Sequence, residues 1–98
     1  MTTPLSPEAS RRGPDGAPAR VLVVADTAAD RDALGRDVQR EGYVVDSAGG
    51  GREALEKLRA EPFDLVLLDA QLPDMDGPEF LRALRGDAEL AHLPVVVV

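Results

Sequence analysis

The sequence predicts an α/β fold, with a parallel sheet that carries helices on both faces. Three observations predict it. Apolar runs rich in β-branched or aliphatic residues recur at 21–24, 65–68 and 95–98, with a weaker one at 43–48. Stretches of helical spacing fill the gaps, so the order reads βαβαβαβ. Each intervening helix is long enough for a crossover, which parallel neighbours require.

The elements follow in order. Val21-Leu22-Val23-Val24 is continuous and apolar, as in a strand buried on both faces. Ala25-Asp26-Thr27 ends it, and Asp26 or Thr27 supplies a helix cap. Residues 28–41 form the first helix, with Leu34 and Val38 four apart on its apolar face and Gly42 as its stop. Its acids Asp30, Asp32, Asp37 and Glu41 form a wet face with Arg31, Arg36 and Arg40. The strand at 43–48 contains Asp46 and Ser47, so it belongs near a sheet edge. Gly49-Gly50-Gly51 turns the chain into a second helix, 52–60, with Ala54, Leu55 and Leu58 inward, and Pro62 prevents its continuation. Leu65-Val66-Leu67-Leu68 is a third strand, buried on both faces and ending on Asp69. After the loop 70–77, Pro78 suits the first turn of a third helix that packs through Phe80, Leu81 and Leu84 and stops near Gly86. Pro94 introduces the last strand, four valines at 95–98.

Residues 1–19 hold Pro4, Pro7, Pro14, Pro18, Gly13 and Gly16 among small and polar residues. They read as a disordered Pro/Gly-rich tail, leaving residues 20–98 as the domain. The 98 residues allow one domain at most. There is no cysteine, hence no disulfide, thiolate metal site or cysteine nucleophile. Eighteen acidic against eleven basic residues, net −7, argue against direct nucleic-acid binding by this segment. No apolar run reaches a membrane span and no leader-like segment opens the chain, so the expectation is a cytoplasmic protein without a membrane partner.

In an open parallel sheet, ligands sit beyond the carboxyl ends of the strands where strand order reverses. Strand one leads to Asp26 and strand three ends on Asp69. If those strands are neighbours, they lie about 4.8 Å apart and the two carboxylates share a crevice. Two such anions repel, and a divalent cation resolves the repulsion. Oxygen ligands without histidine or cysteine suit Mg²⁺, and a loop carbonyl such as that of Gln71 adds a third ligand. A carboxylate beside Mg²⁺ is also a nucleophile toward phosphorus. The plainer reading is that Asp26 only caps its helix and Asp69 is a solvated strand-end acid.

The run Leu67-Leu68-Asp69-Ala70-Gln71-Leu72-Pro73-Asp74-Met75-Asp76-Gly77 resembles the phosphoacceptor loop of bacterial response-regulator receiver domains. Val21-Leu22-Val23-Val24-Ala25-Asp26 with Arg31, Gly42-Tyr43, Gly51-Arg52-Glu53-Ala54-Leu55 and Pro62-Phe63-Asp64-Leu65-Val66 extend the resemblance over about residues 20–98. It implies the open, doubly wound flavodoxin-like sheet and phosphorelay signalling rather than enzymatic turnover of a substrate. It implies that Asp69 accepts a phosphoryl group from a histidine kinase or phosphotransfer protein. It implies that Mg²⁺ is held by Asp26, Asp69 and the Gln71 backbone carbonyl, with Pro73 and Gly77 shaping the loop.

Two departures from that family are visible. Ala25 stands where the first of a pair of acids is usual. The chain stops at Val98, where the family's switch Thr or Ser comes next, so the resemblance is to the N-terminal portion of a receiver; the family's phosphoryl-contacting Lys also comes later, and Lys57 does not match it by position. Ala25 supports an alternative in which a degenerate receiver acts through protein contacts alone. A further alternative rests on Gly49-Gly50-Gly51-Arg52-Glu53-Ala54, which fits the dinucleotide pattern G-x-G-x-x-G/A, with an acid, Asp69, at the end of the next strand. His92, in a short loop, reads as solvated.

Overall fold

A computed structural model of the protein describes residues 18–69 and 72–98. Among them, strands β1 (Arg20–Val24), β2 (Val44–Ala48), β3 (Leu65–Leu68) and β4 (Val95–Val97) alternate with helices α1 (Ala28–Arg40), α2 (Gly51–Ala60) and α3 (Gly77–Arg85). The strands form one sheet in the order β2-β1-β3-β4, every pair parallel. The chain moves from β1 outward to β2, then crosses back to β3 on the other side of β1. The reversal of strand order therefore falls between β1 and β3.

Strand periodicity assigns the two faces. Leu22, Val24, Ala48, Val66 and Leu68 point to one face and pack with Ala54, Leu55 and Leu58 of α2 and Phe80 and Leu84 of α3. This is the main core, and Phe80, Leu22, Leu68 and Leu84 are wholly enclosed in it. Val21 and Val23 point the other way, beneath α1, and are equally enclosed.

Helix α1 approaches the sheet through Gly35, its buried residue, rather than through a stripe of large side chains. A Cβ at Gly35 would stand 3.6 Å from the Val45 side chain, an ordinary contact. Leu34 and Val38, the expected apolar face, are only half-buried. The small residue lets the helix sit close to the sheet, so its larger neighbours flank the contact.

β3 departs from the expectation of burial on both faces. Val66 and Leu68 are enclosed, whereas Leu65 and Leu67 are half-buried. Their face continues onto Val96, which is 47% exposed. Helix α1 covers the β1–β2 half of that face, and no helix among the described residues covers the β3–β4 half.

The start of β1 is fixed by reciprocal bonds to the segment before β3. The Arg20 N–H donates to Asp64 Oδ2 at 2.8 Å, and the Asp64 N–H donates back to the Arg20 carbonyl at 2.8 Å. The Arg20 guanidinium lies over the Phe63 ring at 4.7 Å and pairs with Glu61 at 2.6 Å. Ala19 is buried and its carbonyl accepts from the Val44 N–H at 2.9 Å, so it is joined to the sheet. Residues 1–17 of the expected tail lie outside the described residues.

Candidate functional site

The strand register brings the two expected acids to one end of the sheet. Val24 is opposite Leu68, so one further step sets Asp69 beside Ala25. The Asp69 N–H donates to the Val24 carbonyl at 2.8 Å, which continues the β1–β3 ladder to the acid itself. On the other side, the Val98 N–H donates to the Leu68 carbonyl at 2.9 Å. Asp69 is thus carried on rigid backbone between β1 and β4, half-buried, while Asp26 is exposed one residue beyond Ala25.

Asp26 is not the helix cap. Thr27 takes that place, its Oγ1 accepting from the Asp30 N–H at 3.1 Å. The Asp26 carboxylate is therefore not used in capping α1. The Gln71 carbonyl, the third expected donor, lies outside the described residues.

The donor chemistry fits Mg²⁺. Asp26 and Asp69 are hard oxygen donors at the point of strand reversal. Among the described residues no cluster of three or more acids, histidines or cysteines could by itself hold a metal. Two carboxylates completed by water, carbonyl and phosphoryl oxygens are the usual mode for this ion, and Ca²⁺ or Zn²⁺ sites need more protein ligands.

Arg31 behaves differently from the expected surface partner of the α1 acids. Its guanidinium turns back and donates to the carbonyls of Ala25, at 2.8 Å, and Asp26, at 3.0 Å. It braces the backbone that presents Asp26 and sets a positive charge at the end of β1. Arg40 does pair on the wet face, with Asp37 at 3.8 Å, where both side chains are about three-quarters exposed. Such a pair adds little stability.

Lys57 is engaged elsewhere. Its ammonium donates to the Ser47 carbonyl at 2.6 Å and to Asp46 at 3.1 Å, tying α2 to the edge strand β2. Desolvation raises the Asp46 pKa, but the Ser47 N–H and the Lys57 ammonium outweigh it and hold the carboxyl below its ordinary 3.8.

The loop leaving Asp69 is anchored in a way that the sequence did not disclose. Asp74 reaches the N-terminus of α2 and accepts from the N–H groups of Gly51 and Arg52, both at 2.9 Å. The α2 N-cap, Gly50, has no side chain to do this itself. The Arg52 N–H and then the Gly51 N–H hold the Asp74 carboxyl below its ordinary 3.8. Met75 packs beside it: a Cβ at Gly51 would meet the Met75 Cγ and Sδ at 2.5 Å, and one at Gly50 would meet Asp74 Oδ1 at 2.9 Å. Two residues on, Asp76 caps α3 reciprocally with Glu79, with bonds of 2.8 and 3.3 Å.

This arrangement accounts for the glycine turn. Gly50 and Gly51 are small because the loop 74–75 lies on them. The N–H groups that a pyrophosphate would need are already bonded to Asp74. β2 is moreover an edge strand, not the central strand that leads into a dinucleotide site. The dinucleotide alternative loses its structural basis on both counts. The contacts of Asp74, Met75 and Arg31 were not readable because each acts through partners fixed only by the fold. The one available signal was the excess of glycine before α2.

Comparison with known proteins agrees with this fold. The family described as response regulator receiver domain matches residues 21–98. The response regulator MprA of Mycolicibacterium vanbaalenii is 41% identical over 81 residues, 83% of this chain and 34% of that protein. A gliding motility regulatory protein of Myxococcus xanthus is 35% identical over 79 residues, 81% of this chain and 10% of that protein. The chain therefore spans about a third of the length of MprA. Among solved structures, the chemotaxis response regulator CheY4 of Vibrio cholerae superposes with a TM-score of 0.77 at 35% identity, covering 81% of this chain and 66% of that one. Response regulator TrrA of Thermotoga maritima, solved in complex with Mg²⁺ and BeF, gives 0.70 at 30% identity, over 82% of this chain and 86% of that one.

Proposed function

Since the chain belongs to the response-regulator receiver family, we propose that Asp69 is its phosphoacceptor, taking a phosphoryl group from a histidine kinase or phosphotransfer protein. One observation carries the reading: Asp69 and Asp26 follow adjacent central strands at the point of strand reversal, with Asp69 bonded through its N–H to β1. A resident Mg²⁺ would be held by the Asp26 and Asp69 carboxylates with the Gln71 carbonyl, and when bound it offsets negative charge on the phosphoryl oxygens.

This chain's own groups do the rest. An Asp69 carboxylate oxygen forms a bond to phosphorus as the phosphorus–nitrogen bond of the donor phosphohistidine breaks. The electron pair leaves with the imidazole, which takes up a proton if the phosphohistidine had not already carried it. The product is an acyl phosphate on Asp69. The Asp69 N–H, bonded to Val24, holds the acid's backbone still during the transfer, and Arg31 steadies the strand that presents Asp26. Positioning of this kind is the main contribution a protein makes to phosphoryl transfer.

The test uses a small phosphodonor with Mg²⁺. The reading expects base-labile, hydroxylamine-sensitive labelling that Asp69→Ala abolishes. Label that persists at the same level in Asp69→Ala contradicts it.

Ala25 supports a second reading, that of a receiver acting by protein contacts without phosphorylation. It is fully buried, and its carbonyl is taken by Arg31. Stoichiometric Mg²⁺-dependent labelling rules that reading out.

A further inference from the structure

We propose that Asp74 is a positioning residue for the acceptor site. It holds the loop between Asp69 and α3 against the N-terminus of α2. The inference rests on the reading of Asp26 and Asp69 as the Mg²⁺ site.

The loop that starts at Asp69 is held at three places. Asp69 is bonded to β1, Asp74 to α2, and Asp76 caps α3. The first ties the end of β3 through its backbone to the neighbouring strand, and the last is local to α3. The Asp74 side chain reaches sideways, across 23 residues of sequence, to a helix on neither end of the loop. It meets two N–H groups with two carboxylate oxygens, one each. Asp74 is exposed, so burial does not hold it there. The pair of bonds does, helped by the partial positive charge of the helix start.

The surroundings are built to receive this contact. α2 begins with a glycine N-cap that offers no cap of its own. Gly50 and Gly51 leave the space that Asp74 and Met75 fill. A helix needing only a cap is satisfied by Ser, Thr or Asp at position 50. Here the cap comes from the acceptor loop, so one contact both finishes α2 and limits how far the loop moves from Asp69. Residues that orient ligands without touching the metal commonly change its affinity tenfold or more.

The test is a calorimetric Mg²⁺ titration of the chain and three variants, run below their melting transitions. Asp74→Ala is expected to weaken Mg²⁺ binding about tenfold, at the low end of such effects. Asp74→Asn keeps one acceptor oxygen and is expected to recover part of that loss. Amide exchange reports the contact itself: Gly51 and Arg52 lose protection in Asp74→Ala while the β1 amides keep theirs. Asp64→Ala removes an aspartate–amide bond at the opposite end of the sheet. It is expected to lower the melting temperature and leave Mg²⁺ affinity unchanged. The inference is overturned if Asp74→Ala binds Mg²⁺ as tightly as the unaltered chain, or if Asp64→Ala weakens binding equally. If Asp74→Ala does not fold, Asp74→Asn decides the matter on the same criterion. Failure of the unaltered chain to bind Mg²⁺ instead contradicts the site reading, and this inference falls with it.

Discussion

Asp74 is held ionised by two amides of α2, and that has a consequence for stability against pH. Its carboxyl is below 3.8 in the folded chain and near that value when unfolded. The unfolded state therefore binds protons first as the solution is acidified. The contribution is fully present above the unfolded value and is lost as pH falls through the folded one. Asp46 and Asp87 are shifted in the same direction, so they add to the slope. Melting temperatures between about pH 6 and about pH 3 are expected to fall with acid, and Asp74→Asn to flatten part of the fall. An unchanged slope in Asp74→Asn argues against the tether. Ala25 offers a second residue-scale test. Ala25→Asp adds a carboxylate beside Asp26 and Asp69, so it is expected to lower stability without Mg²⁺ and to tighten Mg²⁺ binding in a titration. Tighter folding without the metal contradicts the view that these positions share one crevice. Asp26 and Asp69 were legible at this scale because each follows an apolar run directly. Asp74 and Arg31 were not, since their partners are backbone groups that only the folded chain brings near.

Elements carry the same lesson in packing. Helix α2 was readable from Ala54, Leu55 and Leu58, all buried against the sheet. Helix α1 was readable as a helix but not in its contact, because a buried glycine leaves no apolar signal. The glycine turn before α2 was readable as a turn, and its purpose depended on Met75. A double-mutant cycle tests that purpose. Gly51→Ala sets a Cβ into the Met75 side chain and is expected to cost about 1–3 kcal/mol, a usual overpacking penalty. In a Met75→Ala background the added cost is expected to shrink, since the clashing atoms are gone. Chemical denaturation measures both, and additive costs contradict the contact. β3 shows where strand reading overreached. Its four apolar residues predict two buried faces, yet Leu65 and Leu67 are only half covered. An apolar run reports what a strand is able to bury, and the neighbouring elements decide what it does bury.

For the whole molecule, alternation of apolar runs and helical stretches specified the parallel sheet, and the strand-end rule pointed to the end of the sheet where Asp26 and Asp69 lie. The observed order β2-β1-β3-β4 sets β1 and β3 side by side, which the expected shared crevice required. The half-covered face of Leu65, Leu67 and Val96 was not legible, because it depends on which helices lie over the sheet. The chain matches about a third of the length of MprA, and the end of the sheet that carries Asp26 and Asp69 lies within the part matched by the family. The most direct measurement is site-resolved mass spectrometry of the chain after treatment with a small phosphodonor and Mg²⁺. One phosphoryl group is expected, located on Asp69, absent from Asp69→Asn and lost when Mg²⁺ is chelated before treatment. A phosphoryl group on another residue, or labelling of Asp69→Asn equal to that of the unaltered chain, contradicts it.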